Sequence, residues 1–279
     1  MILSTSSIDL RGSHAMAIVN VTPDSFYSGS RTTAFSDIVA RVEEAIEAGA
    51  TIIDIGGYSS RPNAEEVSVE QEWERVRMGL EAVQSVDKGV VVSIDSFRSE
   101  VIRRAVEEFG DVIVNDISAG EQDDKILDVV AQYQLPYVAM HMRGTPKTMQ
   151  SLNDYEEGVV RGVVEYFKRR VEEIVSRGVR RDRIVLDPGF GFAKSVEQNY
   201  ELLRGLDALR ELGYPMLIGV SRKSMIYKPL GVQPDDALAG SLALAWEVLR
   251  SGDAILRVHD VRESMQIIGL AKTYRGYRT

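Results

Sequence analysis

The sequence contains no cysteine, which excludes disulfides and thiolate metal sites. It holds only 8 prolines and 2 tryptophans in 279 residues, and no run approaches the roughly 18 apolar residues that a membrane-crossing helix needs. The opening MILSTSSIDLRGSHAM lacks a basic segment followed by an apolar one, so no signal peptide is expected and a cytoplasmic location is the expectation. Positive charge is also scarce: 33 Lys and Arg stand against 42 Asp and Glu, a formal net charge of −9. That balance excludes a general nucleic-acid binder, whose footprint is a basic field. It leaves room for a small anionic ligand held by a local cluster of Arg, Lys and helix N-termini. What is present is ordinary globular composition, 44% apolar and 27% charged, on a chain of the length of one α/β barrel of about 250 residues.

Short β-branched runs recur at 15–21, 51–55, 90–95, 111–116, 136–141, 183–187, 215–220 and 254–258. Stretches of helical period lie near 36–48, 68–86, 99–108, 123–134, 154–177, 196–212, 235–250 and 260–273. Alternation of this kind implies parallel strands joined by crossover helices. Ser68 with Gln71 and Ser195 with Gln198 read as capping boxes. Gly49, Gly110, Gly178, Gly213 and Gly252 fall where left-handed helix caps are wanted. Eight such units favour a single (β/α)8 TIM barrel over residues 15–279, with residues 1–14 as an extension forming a small hairpin or plug.

In such a barrel, chemistry belongs at the C-terminal ends of the strands. Asn20, Asp54, Asp95, Asn115, Asp116, His141, Asp187, Ser221, Arg222, Lys223, Arg257, His259 and Asp260 occupy those positions. So many polar groups at one rim would be costly if they were left unpaired. Asp95, Asn115 and Asp187, with Lys223, suit the donor and acceptor edge of a flat heterocycle. Asn20, Arg61, Arg257 and His259 suit an anion, the guanidinium fork matching phosphate oxygens. Taken alone, Asp187-Pro188-Gly189 is also a turn signal, Asp54 a strand-end carboxylate and His141 a satisfied core residue.

NVTPDSF, DIGGYSSRP, SIDSFRSEV, VNDISAG, AMHMRGTPKTMQ, DPGFGFAKSVEQN, GVSRKS and ILRVHDVRE, in this order, resemble the dihydropteroate synthases, a family of pterin-binding barrels. The resemblance runs over about residues 15–270. It implies condensation of 6-hydroxymethyl-7,8-dihydropterin pyrophosphate with 4-aminobenzoate, in folate synthesis, and a sulfonamide target. It implies a pterin pocket of Asp95, Asn115, Asp187 and Lys223. It implies pyrophosphate contacts from Asn20, Ser60, Arg61, Arg257 and His259, with Lys223, Arg257 and His259 active in catalysis. Asn20 stands at the family's Mg2+ ligand, and Phe26, Ser60, Pro62 and Ser224 at its aminobenzoate pocket. A homodimer through the late helices is implied as well. The family's common GGESTRPG appears here as GGYSSRPN, so Tyr58, Ser60 and Asn63 replace Glu, Thr and Gly. The alternative is a barrel of the same class that binds methyltetrahydrofolate without acting as a synthase.

Overall fold

The computed structural model describes residues 2–21, 31–58, 67–86, 88–145, 148–149 and 152–276. A two-residue strand β1 (Ile2–Leu3) precedes β2 (His14–Asn20), β3 (Ile52–Gly56), β4 (Val90–Asp95), β5 (Ile113–Asp116), β6 (Tyr137–Met140), β7 (Ile184–Asp187), β8 (Leu217–Ile218) and β9 (Ile255–Val258). Strands β2 to β9 are the eight expected from the apolar runs, all parallel, in the order β7-β6-β5-β4-β3-β2-β9-β8. A lone bridge between Leu186 and Met216 joins β7 to β8 and closes the barrel. The expected strand at 215–220 shrinks to two residues because Pro215 has no N–H to offer and Val220 already accepts a turn bond from Lys223.

The helices lie outside the strands: α1 (Arg31–Glu47), α2 (Val69–Val86), α3 (Ser99–Phe109), α4 (Lys125–Tyr133), α5 (Val159–Ser176), α6 (Val196–Arg204), α7 (Leu206–Arg210), α8 (Ser224–Leu230), α9 (Leu238–Arg250) and α10 (Val261–Gly276). Both capping boxes form, with Gln71 N–H donating to Ser68 Oγ at 3.2 Å and Gln198 N–H to Ser195 Oγ at 3.2 Å. The expected helix at 196–212 is split at Gly205, where Val160 of α5 packs so closely that a Cβ would overlap it. The seven-residue α8 was not signalled by period or punctuation. Gly49, Gly110, Gly178 and Gly213 do adopt positive φ. Gly252 does not; a Cβ there would come within 2.6 Å of the Arg210 guanidinium, so packing rather than backbone sign selects it. No helix among the described residues is long and apolar enough to cross a membrane.

The barrel interior explains where the site lies. Met16, Ile52, Val91, Ile113, Val138, Val185, Leu217 and Ile255, one from each of the eight strands, form a buried apolar layer. Ile8 and Leu10 pack against it, and β1 pairs in parallel with the start of β4, so the N-terminal extension is a plug and not a hairpin. Asp111 anchors it, accepting from Thr5 N–H at 2.9 Å and Thr5 Oγ1 at 2.7 Å. Because side chains alternate along a strand, the next inward positions are two residues further on. They are Ile18, Asp54, Ser93, Asn115, Met140, Asp187, Gly219 and Arg257. The interior thus turns from wholly apolar to largely polar, with three charged side chains, in one step toward the C-terminal mouth.

Candidate active site

Arg257 on β9 is the hub of this polar layer. Its Nε donates to Asp54 Oδ2 at 2.6 Å and its Nη2 to Asp95 Oδ2 at 2.7 Å. Asn115 Nδ2 donates to both oxygens of Asp54, at 3.3 and 3.2 Å. Asp54 has no exposed surface, whereas the side chains of Asp95 and Arg257 each keep 21%. Asp54 is therefore the buried anchor, and Asp95 presents its carboxylate to the cleft. Burial pushes Asp95 up to about 7, aided by the like charge of Asp54 and opposed by Arg257. Burial works against the charge on Arg257, but Asp54 and Asp95 outweigh it and hold its proton above the ordinary arginine value.

Across the mouth stand a second carboxylate and a second cation, Asp187 at the end of β7 and Lys223 after β8. Asp187 Oδ1 accepts from Gly189 N–H at 2.8 Å. Burial raises the Asp187 pKa, with Lys223 opposing. Lys223 is lowered to about 8, first by burial, with Asp187 again opposing. Its Nζ donates to Phe190 O and lies 4.8 Å from the centre of the Phe192 ring. Arg222 aims it: this residue takes a left-handed φ of 55°, and its guanidinium is tied to Asp260 and Asp235 at 2.5 and 2.8 Å. A non-glycine residue there is strained, and the pair with the half-buried Asp260 holds the side chain in place.

At the rim, Ser221 Oγ lies 3.0 Å from His259 Nδ1 and also accepts the His259 backbone N–H at 3.3 Å. Donation of the Ser221 hydroxyl to Nδ1 leaves Nε2 as a donor. His259 remains open to solvent, yet its surroundings, Arg257 and Arg222 push it well below the usual imidazole value. Asn20 Oδ1 lies 3.1 Å from where a Cβ on Gly56 would stand, and Asp95 Oδ2 3.9 Å from the same point. Glycine thus leaves the space between β2 and β4 free for the amide oxygen. Ser224 begins α8.

The structure brings Asn20, Asp95, Asn115, Asp187, Lys223, Arg257 and His259 to one mouth. The expected split into a heterocycle floor and a separate anion rim does not hold for Arg257, which is bound to the floor carboxylates Asp54 and Asp95. Phe26, Ser60, Arg61, Pro62 and Asn63 lie outside the described residues. Tyr58 is described: its ring meets Phe97 edge-on at 5.5 Å and Arg98 at 5.6 Å. Asp116 turns away from the mouth to bind Ser118, Gly120 and Tyr137, with the tyrosine hydroxyl at 2.7 Å. His141 is buried against Lys194 at 2.9 Å, the satisfied core residue expected. The positioning contacts of Ser221 and Arg222 escaped the sequence because their partners lie 38 residues away. The one available signal was a polar SRKS placed directly after an apolar run.

Residues 16–259 match the model of a family described as pterin binding enzyme. The chain is 42% identical over 261 residues to the dihydropteroate synthase of Escherichia coli strain K12, covering 94% of this chain and 91% of that one. Its fold superposes on a Yersinia pestis dihydropteroate synthase in complex with a sulfonamide drug, with TM-score 0.87, 36% identity and 96% of each chain covered. It also superposes on the Xanthomonas albilineans dihydropteroate synthase in complex with 7,8-dihydropteroate, with TM-score 0.84, 34% identity, and 96% of this chain and 95% of that one covered.

Proposed function

Since this chain belongs to the pterin-binding enzyme family and, within it, to the dihydropteroate synthases, we propose how its own residues divide the reaction. It is a transferase of folate synthesis that joins 6-hydroxymethyl-7,8-dihydropterin pyrophosphate to 4-aminobenzoate, giving 7,8-dihydropteroate and pyrophosphate. The relatives named above are dihydropteroate synthases, which supports this reading over a methyltetrahydrofolate-binding module.

The observation that carries the division of labour is the gathering of two carboxylates and two cations at one mouth, Asp95 ion-paired with Arg257 and Asp187 within the electrostatic reach of Lys223. Asp187 accepts from the pterin N3–H and 2-amino group, Lys223 donates to the carbonyl side, and Asn115 and Asp95 meet the opposite edge. Placing them in a buried polar layer makes each missing hydrogen bond expensive, which gives selectivity for the ring. His259 Nε2–H and Arg257, with Ser60 and Arg61, stabilise the departing pyrophosphate as negative charge develops on it. The pterin methylene then carries a resonance-stabilised positive charge that the neutral aniline nitrogen attacks. No enzyme nucleophile is needed, which suits a chain without cysteine.

Mg2+ fits this site through Asn20. Among the described residues no group of three or more His, Asp or Glu could hold a metal unaided. A single amide oxygen beside an open cleft suits an ion held mainly by phosphate oxygens and water. When bound, Mg2+ supplies charge neutralisation on the pyrophosphate. Phe26, Ser60, Pro62 and Ser224 form the proposed aminobenzoate pocket, and sulfonamides compete there.

A homodimer through α9 and α10 is part of the same proposal. It is supported by exposed large apolar side chains on α10, Leu270 at 58% and Tyr274 at 42%, the latter meeting Trp246 of α9 edge-on at 5.4 Å. Sedimentation showing only a monomer would remove it. The reaction itself is tested by mixing the protein with both substrates and Mg2+ and measuring pyrophosphate. Sustained release coupled to 7,8-dihydropteroate formation should require both substrates, and no release with both substrates and Mg2+ present would sink the reading.

A further inference from the structure

Lys194 takes no part in the chemistry described above, yet its side chain is buried at 5% exposure inside the β7–α6 loop. Its Nζ lies 2.9 Å from His141 Nδ1 and donates to Gly189 O at 3.0 Å and Phe192 O at 2.9 Å. An ammonium has three N–H donors, and here it meets three acceptors. The same loop, on its other side, receives Lys223, through Phe190 O and the face of Phe192. The backbone from 189 to 192 is therefore gripped between two lysines, one structural and one facing the mouth. Gly189 tightens the grip, because a Cβ there would overlap the His141 carbonyl.

We propose that Lys194 is a positioning residue for the reaction: by fixing the carbonyls of Gly189 and Phe192 it sets the wall against which Lys223 is aimed at the pterin. The proposal rests on the assignment of Lys223 to the pterin.

Ionisation does not undo the grip. Burial lowers Lys194 to about 7, with Asp187 opposing and Lys223 and Arg143 reinforcing. Burial, with Lys194 and Arg143, keeps His141 neutral. As a neutral amine, Lys194 still donates to both carbonyls and accepts from Nδ1–H of His141, which changes tautomer. All three contacts survive in either state.

The test is a double-mutant cycle on 6-hydroxymethylpterin binding, measured by calorimetry at pH 6 and pH 8.5, using Lys194→Met, Lys223→Met and the double variant. Lys194→Met should weaken binding about tenfold at pH 6, the loss of one charge-assisted hydrogen bond, and by less at pH 8.5, where Lys223, lowered to about 8, is mostly neutral. In the Lys223→Met background it should change binding by less than about twofold. In steady-state assays the KM for the pterin substrate should rise while that for 4-aminobenzoate stays nearly constant. Additive losses, or equal effects on both KM values, would overturn the proposal, since a residue that merely holds the fold acts whether or not Lys223 is present. Should Lys194→Met fail to fold, Lys194→Gln in the same cycle decides by the same criterion. If Lys223→Met alone leaves pterin affinity unchanged, the assignment of Lys223 falls and the positioning role falls with it; additivity with that loss intact removes the positioning role alone.

Discussion

Replacing Arg257 by Met deletes both of the short ion-pair contacts, to Asp54 at 2.6 Å and Asp95 at 2.7 Å, while preserving most of the side-chain volume. Breaking a fully buried pair costs about 3–5 kcal/mol. Water reaches the 21% of Asp95 and Arg257 that is exposed, so about 2–4 kcal/mol of stability is the expected loss at neutral pH. The orphaned Asp54 bears most of it. For the ligand, losing the partner that orients Asp95 removes about 1.5–3 kcal/mol, or roughly 10- to 150-fold in pterin affinity. The pH dependence has a definite sign. Arg257 favours the carboxylate of Asp95, which burial already raises to about 7. Its removal moves that value higher, so the rise in pterin affinity as Asp95 ionises shifts to higher pH. A carboxyl whose folded pKa lies above its unfolded value makes the protein more stable as pH falls from the folded value toward the unfolded one. The melting-temperature deficit of the variant should therefore be larger at pH 8 than at pH 6. Calorimetric titration with 6-hydroxymethylpterin and with inorganic pyrophosphate plus Mg2+ provides the measurement. A tenfold loss of pyrophosphate affinity with pterin affinity held within twofold at every pH would refute the hub and restore two independent subsites.

Asp187→Asn should lower pterin affinity at least tenfold, because an amide NH2 then faces a donor edge; unchanged calorimetric affinity would contradict its role. Ser221→Ala frees His259 Nδ1 and should weaken pyrophosphate inhibition by about two- to tenfold with pterin binding intact. The same inhibition constant in both proteins would show that the hydroxyl does not orient the ring. Gly189→Ala, at a φ of 69° and against the His141 carbonyl, should cost more than about 3 kcal/mol or prevent folding. A melting temperature like that of the unaltered protein would mean that the β6 and β7 loops can separate there.

The strands were legible because each is a run of apolar residues buried on both faces, and periodicity needs no knowledge of the rest of the chain. Asp187 and Lys223 could be placed at the mouth on the same grounds, by counting from the ends of those runs. The partnership of Arg257 with Asp54 and Asp95 was not legible, since its members are 203 and 162 residues apart and local pattern carries no information across that span. Arg257 looked like an anion ligand because guanidinium suits phosphate, and the competing demand of two carboxylates was invisible. Lys194 went unread for a different reason: in sequence it is one more polar residue ahead of a capping box, and only the surrounding carbonyls distinguish it. Gly205 and α8 show the same limit in the backbone, because close approach of α5 breaks one helix and the turn after Lys223 starts another.

The junction between β7 and β8 is held by one bridge, and the side chains proposed to grasp the pterin, Asp187 and Lys223, stand on its two banks. A ring hydrogen-bonded to both acts as a rung where the polypeptide has omitted one. Occupancy and closure are then a single event seen from two sides. The ladder is thinnest along that line, so the amides flanking it should gain protection from exchange when the pterin binds.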